Sequence, residues 1–320
     1  MKKTKLKAID LFCGAGGSSW GAKSAGVEIV AAFDMWPVVE SVYKDNFPNT
    51  RFYCDNLDNI DPYKLKKEIG KIDLILASPE CTNHSVAKGN KPRCEKSKET
   101  ALHVIRFAKA FKPRWIVIEN VVSMKNWQRY KEFINKLEDI GYKTLPQILN
   151  SQNFGVPQSR RRMFIICDLK KEPEPVIIPK RKTKTAQNII DGNGTYSYSM
   201  LRTKQRAKAT IERAERAIKK LGNNKKFIIV YYGTDHAGGW QKLDVPLRTI
   251  TTIDRFAFVK PTQEGHVMRM LQPEELKLAM GWPKSYKINN GTRRDKIKMA
   301  GNAVCPPVMQ SIVKSLIGKI

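Results

Sequence analysis

The stretch Asp10-Leu11-Phe12-Cys13-Gly14-Ala15-Gly16-Gly17 decides the fold. The apolar run 7–12 reads as a strand, the residues after the glycines read as a helix to about residue 25, and 27–33 reads as a second strand. Together they make a βαβ start. Small residues at a sharp strand-to-helix turn let a ligand approach the backbone and the helix N-terminus, where N–H groups have no partner within the helix. Glycines also serve tight turns for steric reasons alone, so the run does not by itself name a ligand. Its spacing departs from the dinucleotide pattern G-x-G-x-x-G, because Ser19 stands where the third glycine belongs. Asp34 ends the second strand, about 20 residues on. It is suited either to accept hydrogen bonds from ribose hydroxyls or to cap the next helix.

Working outward, strands are expected at 72–77, 115–118 and 163–167, with helices at 100–111 and 126–140 between them. Strands alternating with helices predict an α/β fold with a mostly parallel sheet covered on both faces. The pattern changes after Leu169. Residues 179–226 hold 14 Lys and Arg against three acids, Asp191, Glu212 and Glu215. A chain of 320 residues exceeds the usual single-domain length, so this basic segment is the expected second, smaller lobe. Within it, 204–221 carries Ile211, Ala214, Ile218 and Leu221 at helical spacing, with Lys208, Arg213, Arg216 and Lys220 around the rest. That helix is either a solvated basic face or one that tracks phosphates. Strands are expected again at 227–232 and 246–259.

The whole chain has 58 Lys and Arg against 30 Asp and Glu, a formal charge of +28. Self-repulsion on that scale adds nothing to fold stability and points to a polyanionic partner. No apolar run reaches the ~18 residues of a membrane span, and the basic N-terminus lacks a signal core, so a cytoplasmic protein is expected. Six scattered cysteines (Cys13, Cys54, Cys81, Cys94, Cys167, Cys305) include no CxxC pair, so neither a metal site nor a disulfide framework is expected.

Three further segments carry chemistry. Ala77-Ser78-Pro79-Glu80-Cys81-Thr82-Asn83-His84-Ser85 places a cysteine on a polar, proline-stiffened loop after a strand, suited to thiolate chemistry. His84 leaves a Cys/His hydrolase open as well. Ile116-Val117-Ile118-Glu119-Asn120-Val121 puts a carboxylate at the end of a buried strand, where desolvation favours its protonated form. Gly155-Val156-Pro157-Gln158-Ser159-Arg160-Arg161-Arg162 aligns Arg160 and Arg162 on one face of an incoming strand.

In this order, with Gly301-Asn302-Ala303-Val304 near the C-terminus, these segments resemble the DNA (cytosine-5)-methyltransferase family over nearly the whole chain. Arg269 to Glu275 and Met280-Gly281-Trp282-Pro283 are similar to that family's lead-in to its last motif. The resemblance implies a Rossmann-like catalytic domain (1–175), an inserted target-recognition domain (176–262) and a C-terminal return (263–320). It further implies S-adenosylmethionine as cofactor, double-stranded DNA as partner, and a monomer. In the roles it assigns, Cys81 adds to cytosine C6, Glu119 protonates N3, Arg162 holds O2, and Arg160 orients the loop and the adduct. The cofactor would meet Phe12, Gly14 and Gly16, with Asp34 on the ribose, Met35 against the adenine, Asp55 at its amino group, and Asn302 and Val304 closing the pocket. Two departures stand out. Met35 replaces the family's usual bulky aromatic, and Glu80 sets an acid beside the nucleophile, which opposes thiolate formation. A tRNA cytosine-5 methyltransferase and a catalytically dead DNA-binding relative are the rival readings. The recognition sequence and any cognate restriction enzyme have no legible signal.

Overall fold

A computed structural model describes residues 5–80, 99–232 and 238–318. Cys81, with His84 and Ser85, lies outside the described residues. The first sheet contains β1 (Lys7–Leu11), β2 (Glu28–Phe33), β3 (Arg51–Tyr53), β4 (Leu74–Ala77), β5 (Trp115–Asn120), β6 (Lys143–Asn150) and β7 (Arg161–Asp168). Their order across the sheet is β3-β2-β1-β4-β5-β7-β6. β1 to β5 pair in parallel, and β7 runs against both of its neighbours. The chain builds outward from β1 to β3 and then crosses back to β4. Connections therefore leave β1 and β4 in opposite directions, which opens a crevice at their carboxyl ends.

The helices are α1 (Gly17–Ser24), α2 (Pro37–Asn46), α3 (Pro62–Ile69), α4 (Leu102–Phe111), α5 (Tyr130–Asp139), α6 (Lys208–Leu221), α7 (Pro273–Ala279), α8 (Arg293–Asn302) and α9 (Pro306–Leu316). Strand periodicity sorts them into two layers. Ala8, Leu74, Leu76, Val117 and Ile166 face the core shared with α1, α2, α8 and α9. Ile9, Leu11, Ile75, Ile116, Ile118 and Ile165 face the core shared with α3, α4 and α5. Both faces are covered, so β4 and most of β5 and β7 read as continuous apolar runs, while the buried Asp10 interrupts β1.

A second, antiparallel sheet contains β8 (Ser199–Met200), β9 (Phe227–Val230), β10 (Trp240–Gln241), β11 (Phe256–Thr262) and β12 (Gly265–Met270), in the order β10-β9-β11-β12-β8. Here too alternate residues divide. Ile228, Val230, Phe256 and Phe258 join the first core, and Phe227, Ile229, Ala257 and Val259 pack with Ala214, Ala217 and Ile218 of α6.

Several expected bounds shift. The helix expected from 204 begins at Lys208. Residues 246–255 are not strand; Leu247 instead makes an isolated bridge to Gln158, and β11 starts at Phe256. β3, β6, β8, β10 and β12 had no expectation. β6 contains Pro146, tolerated because β6 is an edge strand. The boundary expected at 262 falls inside a hairpin, since Thr262 pairs with Gly265 across β11 and β12.

Candidate active site

The carboxyl edge of the first sheet gathers the sequence motifs. β1 ends at Leu11, and the chain then turns through Phe12 (φ 58°), Gly14 (φ 49°) and Gly16 (φ 77°). Phe12 is a non-glycine residue in the left-handed region, a conformation that costs about 1–2 kcal/mol and gathers at ligand sites. Asp34 does not cap α2; Trp36 holds that place. Its Oδ2 accepts the Gly14 N–H (2.9 Å) and its Oδ1 the Trp36 N–H (3.0 Å), so one carboxylate fixes the glycine turn and the end of β2 together. Burial raises its pKa against those two bonds. Gly17 is needed for close approach: a Cβ there would sit 2.2 Å from the Val304 carbonyl oxygen. The Gly301–Val304 segment therefore lies directly on the glycine turn.

The expected cofactor residues converge on this edge. Met35 is 68% exposed, a large apolar side chain held out beside Asp34. Asp55, two residues past β3, accepts from the Asn59 amide at 2.8 Å and remains exposed. Asn302 ends α8, and Val304 is buried. Beneath the turn, Asp10 is fully buried; its Oδ2 accepts from the Ser19 hydroxyl (2.5 Å) while Oδ1, like the Ser18 hydroxyl, has no hydrogen-bond partner among the described residues. Left-handed glycine backbone, an exposed apolar surface and unsatisfied polar atoms at one crevice fit a nucleoside bearing a charged tail, as in S-adenosylmethionine.

Glu119, the last residue but one of β5, lies 3.2 Å from Arg162 Nε, the pair largely shielded from water. Burial raises the Glu119 pKa, an effect partly offset by Arg162 and then Arg160. A carboxyl with this balance keeps a proton more readily than an exposed one yet stays oriented by a guanidinium. Arg160 behaves differently. It is buried, and its guanidinium donates to the carbonyls of Ile250 (3.0 Å), Gly301 (2.7 Å) and Ala303 (3.1 Å). Only Arg162 lies within β7, with Arg160 just before the strand begins; Arg162 meets the carboxylate and Arg160 meets backbone.

Several residues outside the expected set complete the site. Asn120, buried, donates to the Pro79 carbonyl at 3.2 Å and so ties the loop leading to Cys81 to the end of β5. Its place in the Glu-Asn-Val string was the available signal. Gln158 is fully buried: its amide donates to the Ala279 carbonyl (3.2 Å) and its oxygen accepts from Ile250 N–H (2.9 Å). Cys305 lines the hollow beneath Glu119 and Arg162, its thiol pKa pushed up to about 11 by burial. Gln158 lay within the quoted Gly155–Arg162 string and Cys305 just past Gly301–Val304, but neither position announced these particular contacts. Among the described residues, no cluster of three His, Cys, Asp or Glu could hold a metal, and no helix is long and apolar enough to cross a membrane.

Comparison with known proteins bears on this geometry. The chain is 27% identical over 330 residues to the Type II methyltransferase M.HindV of Haemophilus influenzae, covering 98% of this chain and 96% of that one. It is 34% identical over 169 residues to the Type II methyltransferase M.DdeI of Desulfomicrobium norvegicum, an alignment covering 50% of this chain and 40% of that protein. The fold is similar to that of the Entamoeba histolytica methyltransferase EhMeth, with a TM-score of 0.73 at 20% identity over 99% of both chains. The family described as C-5 cytosine-specific DNA methylase matches residues 6–318. With a Rossmann-like α/β sheet, a glycine turn at its switch point and a buried Glu–Arg pair beside it, the chain belongs to the C-5 cytosine-specific DNA methylase family.

Proposed function

We propose that this protein methylates C5 of a cytosine flipped out of double-stranded DNA, through a covalent bond between Cys81 and C6. The observation that carries this reading is Glu119. It is a buried carboxyl with a raised pKa, held by Arg162, in the residue next to Asn120, which holds the Pro79 carbonyl two residues before Cys81. Adding a thiolate to C6 builds negative charge on the ring, and an acid at N3 offsets that charge by giving up its proton. Arg162 would hold O2 and balance the carboxylate left behind. Bound at the glycine turn, S-adenosylmethionine supplies an electrophilic methyl group for the activated C5. A base, water in the simplest case, then removes the C5 proton, the Cys81–C6 bond breaks to release thiolate, and N3 returns its proton to Glu119. C5 and C6 are unreachable in a stacked duplex, hence the flipped base.

The test is transfer of a labelled methyl group to duplex DNA and, separately, to tRNA. Cys81→Ser is expected to abolish transfer while leaving cofactor binding nearly intact, because a hydroxyl is a far poorer nucleophile at neutral pH. Wild-type protein should also form a stable adduct with duplex carrying 5-fluorocytosine, where fluorine cannot leave as a proton. Normal turnover by the serine variant sinks the covalent mechanism, and methylation of tRNA alone reassigns the substrate.

A further inference from the structure

Three chain segments meet on one guanidinium. Arg160 stands immediately before β7, two residues ahead of Arg162. Its Nη1 donates to Ile250, in the segment that leads into β11, and its Nη2 donates to Gly301 and Ala303, the residues on either side of Asn302. The same strand entry is stitched to the same segment four more times. Gln158 accepts from Ile250 N–H (2.9 Å), Ser159 N–H donates to Leu247 (2.7 Å), Leu247 N–H donates to Pro157 (2.9 Å), and the Thr249 hydroxyl donates to Ser159 (2.8 Å). Gly301 in turn packs so closely that a Cβ would lie 2.4 Å from the Thr251 carbonyl group.

We propose that Arg160 is a positioning residue, the common anchor of the 247–251 segment and the Gly301–Val304 segment, through which cofactor binding and DNA binding strengthen one another. The inference rests on the functional reading above, since it takes the second sheet as the DNA-facing element and Asn302 and Val304 as cofactor residues. The second sheet receives its β11 directly from 247–255, so ordering of that sheet on DNA orders the carbonyl of Ile250. Ordering of Asn302 and Val304 around a cofactor orders the carbonyls of Gly301 and Ala303. Each event fixes one side of the same planar fork, which leaves less freedom to be lost when the other follows. The fork lies two residues from Arg162, so both events also set the partner of Glu119. A guanidinium suits the task because its donors are held in one plane, whereas an ammonium is a point charge that cannot span the same carbonyls in fixed geometry.

The experiment measures DNA affinity by fluorescence anisotropy with and without S-adenosylhomocysteine, and S-adenosylhomocysteine affinity by calorimetry with and without DNA. Reciprocity requires the two ratios to agree. Wild-type protein is expected to show a ratio of about tenfold, and Arg160→Lys to bring it below about threefold while each separate affinity changes less than the ratio does. Because the lysine keeps the positive charge near Glu119, the pH profile of transfer should hold its shape in this variant. Arg160→Gln removes that charge and should shift the profile upward. If Arg160→Lys does not fold, Thr249→Val removes one stitch of the same tether and should reduce the ratio in part. An undiminished ratio in a folded Arg160→Lys protein, or in Thr249→Val where that variant stands in, overturns the proposal, as does a wild-type ratio of one. Failure of the wild type to methylate DNA at all is a separate outcome that sinks the functional reading itself.

Discussion

Asp10 illustrates what one buried atom does to the whole stability curve. Burial lifts its pKa to about 7, against the lowering effect of the Ser19 bond. The folded chain thus keeps a proton that the unfolded chain has already lost, in the window from about pH 4 to pH 7. Stability is greatest below the unfolded pKa and falls as pH rises through that window, by about 1.4 kcal/mol per pH unit. In Asp10→Asn the amide oxygen keeps the Ser19 bond and the titration disappears. Urea unfolding at pH 5 and pH 8 should show the wild type losing roughly 2–3 kcal/mol more than the variant between the two. Equal losses show that Asp10 is ionised in the folded state. Some of this scale was legible in sequence: Glu119 at the end of an apolar strand implied desolvation, and the structure buries it beside Arg162. The carbonyls that hold Arg160 come from positions 90, 141 and 143 residues away, and nothing local to Arg160 announces them.

Elements with one strong period were readable, and those with mixed signals were not. β4 is apolar throughout and β5 is apolar from Trp115 to Ile118 because both of their faces are buried, and they appear where expected. β6 alternates weakly, holds Pro146 and lies at a sheet edge, so its pattern resembles a loop. The glycine turn was legible as a turn, whereas only the family resemblance pointed to Val304 beside it: what Gly17 makes room for is the Val304 backbone, nearly the whole chain away. That contact predicts a sharp asymmetry between two glycine-to-alanine changes. Gly17→Ala forces a methyl group against backbone that cannot rotate aside, and is expected to destabilise by about 2 kcal/mol and to weaken cofactor binding. Gly192→Ala meets nothing within 4 Å and has no left-handed backbone to strain, so its effect should stay within about 0.5 kcal/mol. Thermal unfolding of the two variants beside wild type decides it; equal stabilities would mean that α1 and the Gly301–Val304 segment do not pack as described.

Across the whole molecule the positive charge is unevenly spread, and residues 179–226, which include α6, hold 14 Lys and Arg against three acids. Lys208, at the start of α6, has a side chain 91% exposed and pairs with Glu212 at 3.9 Å, a distance at which a surface pair contributes little. Such residues are available to neutralise phosphates. Phosphate contacts act on every sequence alike, whereas residues that read base edges change which site is chosen. Lys204→Ala with Lys208→Ala should therefore weaken DNA binding and reduce its salt slope by about one unit for each phosphate no longer neutralised, leaving the methylated sequence unchanged. If the second lobe reads the target, exchanging it should move the recognition sequence, and the fold dictates where to cut. An exchange ending at 262, where the sequence alone suggested a boundary, separates β11 from β12 within their hairpin. One that includes Arg269 risks the buried Arg269–Glu275 pair (2.7 Å), and breaking such a pair costs about 3–5 kcal/mol because a charge is stranded out of water. Exchanging 179–268 for the matching segment of another family member, with Arg269 kept, should give a folded enzyme that methylates the donor's site. The same exchange cut at 262 should unfold at lower temperature or fail to fold. Bisulfite sequencing of DNA from cells expressing the exchanged protein reads the outcome: an active enzyme still methylating its original site places recognition outside the second sheet.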